Sequence, residues 1–271
     1  MALTAFQRHV CQTLAKNRIE SGESYVAGGA ALNEVLSAPR LSRDVDLFHD
    51  TETALDASWQ SDRRSLEVAG LHVRSVRERP SFVEAEISSS EEAVLLQWVR
   101  DSAYRFFPLV THEVFGLTLH PFDLATNKVL ALVGRLEVRD WVDVIECSER
   151  VQPLGYLAWA ACGKDRGFGP EAILSHAARS SHYSAEEVSS LAFAAPAPDF
   201  LELAGRWRVI VATAKELVAL LPAEHVGKCV LSSNGQLFTG DVDSLRNSVA
   251  QGAVSFHAGH IGGALPTIVG T

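Results

Sequence analysis

Two aspartates separated by one residue, Asp44 and Asp46 in "DVDLF", carry the first pattern with chemical meaning. In an extended strand both carboxylates leave the same face, their Cα atoms ~7 Å apart, while Val45 and Leu47 point the other way. Two adjacent negative charges suit Mg²⁺, whose remaining oxygen ligands come from water and phosphate. Alone, this spacing is a common accident and usually marks a solvated strand face. Upstream, Gly28-Gly29 closes "SYVA" and opens "AALNEVL". A glycine turn at a helix start lets backbone N–H groups and the positive helix end face a phosphate with no side chain in the way. Arg40 and Ser42 stand between the two features, available to brace such a ligand.

A second cluster lies downstream. Leu124, Lys128, Leu132 and Arg135 share one helical face, so two cations interrupt an apolar surface. The plain reading of Lys128 is a stem at the core edge with its ammonium in water. Arg139 and Asp143 stand at i and i+4, by default a surface salt bridge worth a few tenths of a kcal/mol. His257-x-x-His260 has metal-ligand spacing, yet it lies in a glycine-rich stretch with no carboxylate or thiol beside it in sequence, and reads as polar surface.

The elements that must position these residues follow from periodicity. Phe6, Val10, Leu14 and Ile19 predict an opening amphipathic helix. A strand at "SYVA", a helix at "AALNEVL" stopped before Pro39, and a strand at "DVDLF" come next. Further strands are expected at "HVRSV", "SFVEAEI" and "AVLLQWV". From "PFDLATNKVLALVGR" the pattern turns helical, with Asp123 as N-cap and Gly134 as a break. "RDWVDVIECSER" follows with Val138, Trp141, Val142 and Ile145 on its apolar face, and the helical character continues to Leu221 around the loop "AAPAPD". Beyond it, Asn234-Gly235 between apolar runs signals a hairpin. The fold class expected is α+β: a mixed sheet with flanking helices over 1–121, a helical domain over 122–221 and a small β-containing appendage over 222–271.

Composition narrows the partners. With 271 residues, 47% of them hydrophobic and 21% charged, the chain has ample core material. A formal net charge of −9 argues against gripping nucleic acid by bulk attraction, so such contact needs a local basic patch. Cys11, Cys147, Cys162 and Cys229 form no C-x-x-C pair and read as reduced thiols. The amino terminus lacks a signal-peptide core and no run approaches the ~20 apolar residues of a membrane span, so a cytoplasmic protein without membrane partners is expected.

The ordered set of strand, Gly28-Gly29, short helix, Arg40-x-Ser42-x-Asp44-x-Asp46 and Leu47-Phe48 resembles the nucleotidyltransferase fold of the DNA polymerase beta type, and specifically the AbiEii-type nucleotidyltransferase toxins. Leu124-Ala125-x-x-Lys128-x-x-Ala131-Leu132-x-x-Arg135 and Arg139-Asp140-x-x-Asp143 are similar to that family's later motifs. The resemblance implies a fold and a reaction: an acceptor hydroxyl attacks the α-phosphorus of an NTP and pyrophosphate leaves. It implies Mg²⁺ on Asp44 and Asp46, catalytic roles for Lys128, Asp140 and Asp143, and nucleotide contacts from Gly28, Gly29, Arg40, Ser42, Lys128 and Arg135. It also implies RNA, such as a tRNA acceptor end, as acceptor, and a cognate antitoxin protein as partner.

One position departs from the pattern. Enzymes of this superfamily commonly add a third carboxylate from a neighbouring strand, and the matching residue is Gln97, a neutral and poorer Mg²⁺ ligand. Glu84 or Glu86 on "SFVEAEI", or Asp101, can replace it. Two other readings stay open: a degenerate fold that binds NTP or RNA without turnover, and a transferase acting on a small molecule such as an antibiotic.

Overall fold

The structure, a computed structural model, describes residues 3–179 and 183–267. It divides into two compact units. The first comprises Met1–Ala103, Leu109–His120 and Ala192–Ala195; the second comprises Tyr104–Pro108, Pro121–Leu191 and Pro196–Thr271.

In the first unit the chain runs α1 (Ala5–Ser21), β1 (Ser24–Ala27), α2 (Gly28–Val35), β2 (Asp44–His49), α3 (Glu52–Val68), β3 (His72–Arg79), β4 (Phe82–Ser88) and β5 (Ala93–Arg100). After β6 (Tyr104–Arg105), which belongs to the second unit, it adds β7 (Val110–His112) and β8 (Gly116–Thr118). Thr4 and Gln7 close a capping box at the start of α1, and Gly22, at φ 68°, ends it. The seven strands form one mixed sheet in the order β3-β4-β5-β2-β1-β8-β7. β5 runs parallel to β2, whereas β4 and β1 run antiparallel to their neighbours β5 and β2.

Alternation gives this sheet two unlike faces. Val45, Leu47, Leu96, Trp98, Val83, Ala85 and Ile87 are buried, and this side packs on α1 and α3. Asp44, Asp46, Phe48, Gln97, Glu84 and Phe82 occupy the other face and are all half-buried. Helix α3 was not anticipated from the sequence. Its core-facing stripe of Leu55, Trp59, Asp62 and Leu66 includes an aspartate, which hides the apolar period. Asp62 is fully buried and accepts hydrogen bonds from Asn17 at 2.9 Å and from the Trp98 indole at 2.9 Å.

The second unit contains α4 (Pro121–Arg135), α5 (Val138–Arg150), α6 (Leu154–Ala161), α7 (Pro170–Ala178), α8 (Ala185–Ser189) and α9 (Phe200–Leu220). β9 (Lys228–Ser232), α10 (Val242–Ala250), β10 (Val254–Ala258) and β11 (His260–Ile261) follow. All eight residues of α6 are buried. Gly155 lets α9 approach closely, since a Cβ there would stand 2.8 Å from Cβ of Leu217. The stretch after Leu221, expected as an appendage, belongs to this unit, with β9 packed on α6.

Two local expectations are corrected. Asp123 does not cap α4, which begins at Pro121; its carboxylate accepts the Phe106 and Phe107 amides at 2.9 and 3.0 Å and pairs with Lys164 at 2.8 Å. The Asn234-Gly235 turn forms, but it closes only a single Leu231–Leu237 bridge, and the full partner of β9 is β10. Among the described residues no helix is long and apolar enough to cross a membrane. All four cysteines are buried, free thiols.

Candidate active site

The residues of the first sequence cluster converge within the first unit. β1 and β2 pair antiparallel with Ala27 opposite Asp46, so the strand end that delivers Gly28 lies against the Asp46 side chain. Gly28 has φ 70°, a left-handed conformation that glycine adopts without penalty. A Cβ at Gly28 would stand 3.0 Å from Cγ of Asp46 and closer still to Oδ2. At Gly29 a Cβ would stand 2.7 Å from Nη2 of Arg40 and 3.3 Å from Oγ of Ser42. The two glycines therefore leave room for one carboxylate, one guanidinium and one hydroxyl around the first turn of α2. Ala27 supplies no side-chain cap to that turn, whose leading amides have no intrahelical acceptor.

Neighbouring segments fix these groups. Arg40 is 5% exposed and donates to the Leu41 carbonyl at 3.1 Å. Its backbone is held by a short antiparallel pairing: Arg40 bridges Phe193, Leu41 donates to Ala192 at 2.9 Å, and Ala194 donates to Pro39 at 2.8 Å. The Ser42 hydroxyl donates to Oδ1 of Asp44 at 3.3 Å, and the Ser42 carbonyl accepts from Gln7 at 2.8 Å. Asn33 bonds the Gly29 carbonyl at 2.8 Å and so ties the turn to its own helix.

The strand beside Asp46 carries Gln97 in direct register. Glu84 on β4 lies opposite Gln97 in turn, and Nε2 of Gln97 donates to it at 3.0 Å. Glu86 pairs outward with Arg74 at 3.1 Å. Asp101 is exposed beyond the end of β5, where its carboxylate accepts the Ser102 amide at 2.7 Å. Among the described residues no group of three or more His, Cys, Asp or Glu could hold a metal by itself. The donor set nevertheless fits Mg²⁺, which commonly takes one or two carboxylates and draws its other oxygens from substrate phosphates and water. Asp44 and Asp46 are hard oxygen donors on one strand face, and Gly28 keeps the approach to Asp46 free of side chain.

The second sequence cluster lies in the second unit. Nζ of Lys128, 7% exposed, sits 3.0 Å from Asp140 and 3.1 Å from Asp143, both fully buried. Arg135 grips Asp140 with Nε at 2.6 Å and Nη2 at 2.9 Å. Burial raises the Asp140 pKa, but the Arg135 hydrogen bond and the Lys128 charge outweigh it and hold the carboxyl below its ordinary range. The expected Arg139–Asp143 surface pair does not form; Arg139 pairs with Glu137 at 2.6 Å, and Asp143 faces inward to Lys128. Buried charges at this density require near-complete pairing, and two cations with two anions supply it. His257 is also internal, its Nε2 bonding the carbonyls of Phe106 and Ala264 at 2.8 and 3.1 Å, which leaves it in a structural role.

No family model matches the chain, and no curated protein matches it either. Solved structures do. MenT4, a nucleotidyltransferase toxin from Mycobacterium tuberculosis, superposes with a TM-score of 0.54 at 13% identity, over 80% of this chain and 84% of that one. JHP933 from Helicobacter pylori matches with a TM-score of 0.47 at 14% identity, over 78% of this chain and 91% of that one. The likeness to MenT4 establishes the fold: this chain has the α+β architecture of a nucleotidyltransferase.

Proposed function

We propose that the protein is a metal-dependent nucleotidyltransferase of the AbiEii-like toxin kind, moving a nucleotide from an NTP to a hydroxyl on RNA, with a tRNA acceptor end as the leading acceptor. The observation that carries this reading is the convergence of Gly28, Gly29, Arg40, Ser42 and Asp46 around one uncapped helix start. Each group has a part. The turn amides and the positive end of α2 receive phosphate oxygens, Arg40 adds a fixed positive charge, and Ser42 adds a hydroxyl. Asp44 and Asp46 would hold Mg²⁺, which would neutralise charge on the phosphates and acidify the acceptor hydroxyl. The acceptor oxygen bonds to the α-phosphorus as the bond toward the β-phosphate breaks, and pyrophosphate and a proton leave. The chain contributes positioning and electrostatics, with no covalent intermediate on the protein.

In the second unit, we assign Lys128, Asp140 and Asp143 to catalysis as the paired cluster they form, and Arg135, which grips Asp140, to a nucleotide contact. The reading also brings a cytoplasmic NTP pool and a protein antitoxin as partners. A second reading, binding without turnover, draws on Gln97, the neutral amide next to Asp46. One experiment separates them: incubation with each labelled NTP, Mg²⁺ and total tRNA. Labelled RNA that disappears in Asp46→Ala supports transfer. Tight NTP binding with no label on RNA favours the binder, and label on a small molecule alone redirects the acceptor.

A further inference from the structure

Gln97 and Glu84 stand in one register row with Asp46. On the half-buried face of the sheet, Asp46 of β2, Gln97 of β5 and Glu84 of β4 are successive cross-strand neighbours. The Gln97 amide has two unlike ends, and which end faces which neighbour decides what it offers the site. A carboxylate only accepts hydrogen bonds, so the end turned to Glu84 must be nitrogen, as the 3.0 Å contact from Nε2 records. Oxygen and nitrogen diverge from the same carbon, which sends Oε1 away from Glu84. The neighbour on that side of the row is Asp46.

We infer that Glu84 is a positioning residue: by holding the amide nitrogen of Gln97 it turns the Gln97 carbonyl oxygen toward Asp46, where that oxygen serves as the third, neutral donor to a divalent cation. The inference rests on the reading of Asp44 and Asp46 as metal ligands. It accounts for a glutamine in the row where a carboxylate is expected. An amide oxygen is an acceptable ligand for a hard cation, whereas an amide nitrogen presents protons to it and repels it. Glu84 thus contributes through orientation, one strand further out, and groups that orient ligands are commonly worth tenfold or more in metal affinity. Glu86, on the same face one row along and engaged by Arg74, has no amide to orient and serves as the charge control.

The test is Mn²⁺ binding by the full chain, followed by loss of the free-ion electron paramagnetic resonance signal, with thermal denaturation alongside. Glu84→Met, which removes the acceptor, and Gln97→Leu should each weaken binding on the order of tenfold, the double variant should be no weaker than Gln97→Leu, and Glu86→Met should match wild type. Melting temperatures should stay close together, since the pair is a half-exposed cross-strand contact. Wild-type affinity in Glu84→Met, with affinity lost in Asp46→Ala, overturns the positioning role and leaves the metal site standing. Equal losses in Glu84→Met and Glu86→Met reduce Glu84 to a background charge and also overturn it. Unchanged binding in both Asp44→Ala and Asp46→Ala overturns the metal assignment beneath it.

Discussion

Gly28→Ala subjects the site to one methyl group. The residue must keep φ 70° for β1 to turn into α2, and an L side chain in that region costs about 1–2 kcal/mol. The new Cβ also arrives 3.0 Å from Cγ of Asp46 and overlaps Oδ2, so the carboxylate has to swing or retreat by about 1 Å. Displacements of that size at a reacting centre cost about a hundredfold in rate. The expected result is a two-part signature: a melting temperature lower by roughly 2–8 °C for a chain of this size, and transfer activity reduced far beyond what the remaining folded protein accounts for. Gly70→Ala is the matched control, because Gly70 has φ 80° with nothing within 4 Å of its added Cβ. It should show the stability loss with activity kept. Equal activity in the two variants would refute the claim that Gly28 exists to admit Asp46 and a phosphate.

Two further outcomes follow from buried charge. Lys128→Met keeps the volume of the side chain but removes the cation that two buried carboxylates, Asp140 and Asp143, share, and urea denaturation should register a loss of about 3–5 kcal/mol; a loss under about 1 kcal/mol would mean the cluster is not held by its lysine. His49 is buried on β2, and burial lowers its pKa from 6.5 to about 4. Between those values the unfolded chain binds a proton that the folded chain does not, so stability is complete above pH 6.5 and falls as pH drops toward 4. At about 1.4 kcal/mol per unit this group contributes roughly 3 kcal/mol of acid sensitivity, and His49→Leu should flatten the stability profile across that interval.

The residues that read well from sequence are those whose neighbours in space are also neighbours in the chain. Gly28, Asp44 and Asp46 sit on two adjoining strands and a tight turn, so glycine chemistry and strand alternation describe them almost fully. Strands β3, β4 and β5 were visible for the same reason. Asp62 and Lys128 were opaque because each is polar yet internal, and only distant partners such as Asn17, Trp98 and Asp143 reveal why it is inside. The signal for α3 was present in Thr51, whose side chain caps the helix by accepting from the Ala54 amide. The pairing that braces Arg40 had no sequence signature at all, because residues 192–194 make a single bridge and two flanking hydrogen bonds, too short a ladder to leave a strand-like pattern.

That pairing also sets a clock. Arg40 is translated early, but its bracing partner Phe193 emerges some 150 residues later, a lag of about 8–30 s at 5–20 residues per second. A nascent chain or fragment ending near residue 120 has every strand of the seven-stranded sheet and both glycines, yet lacks the segment that fastens the arginine beside them. The proposed phosphate cradle is therefore braced only when most of the polypeptide has left the ribosome, and removing the C-terminal half takes that brace from a cradle whose own residues, from Gly28 to Asp46, all lie in the N-terminal half.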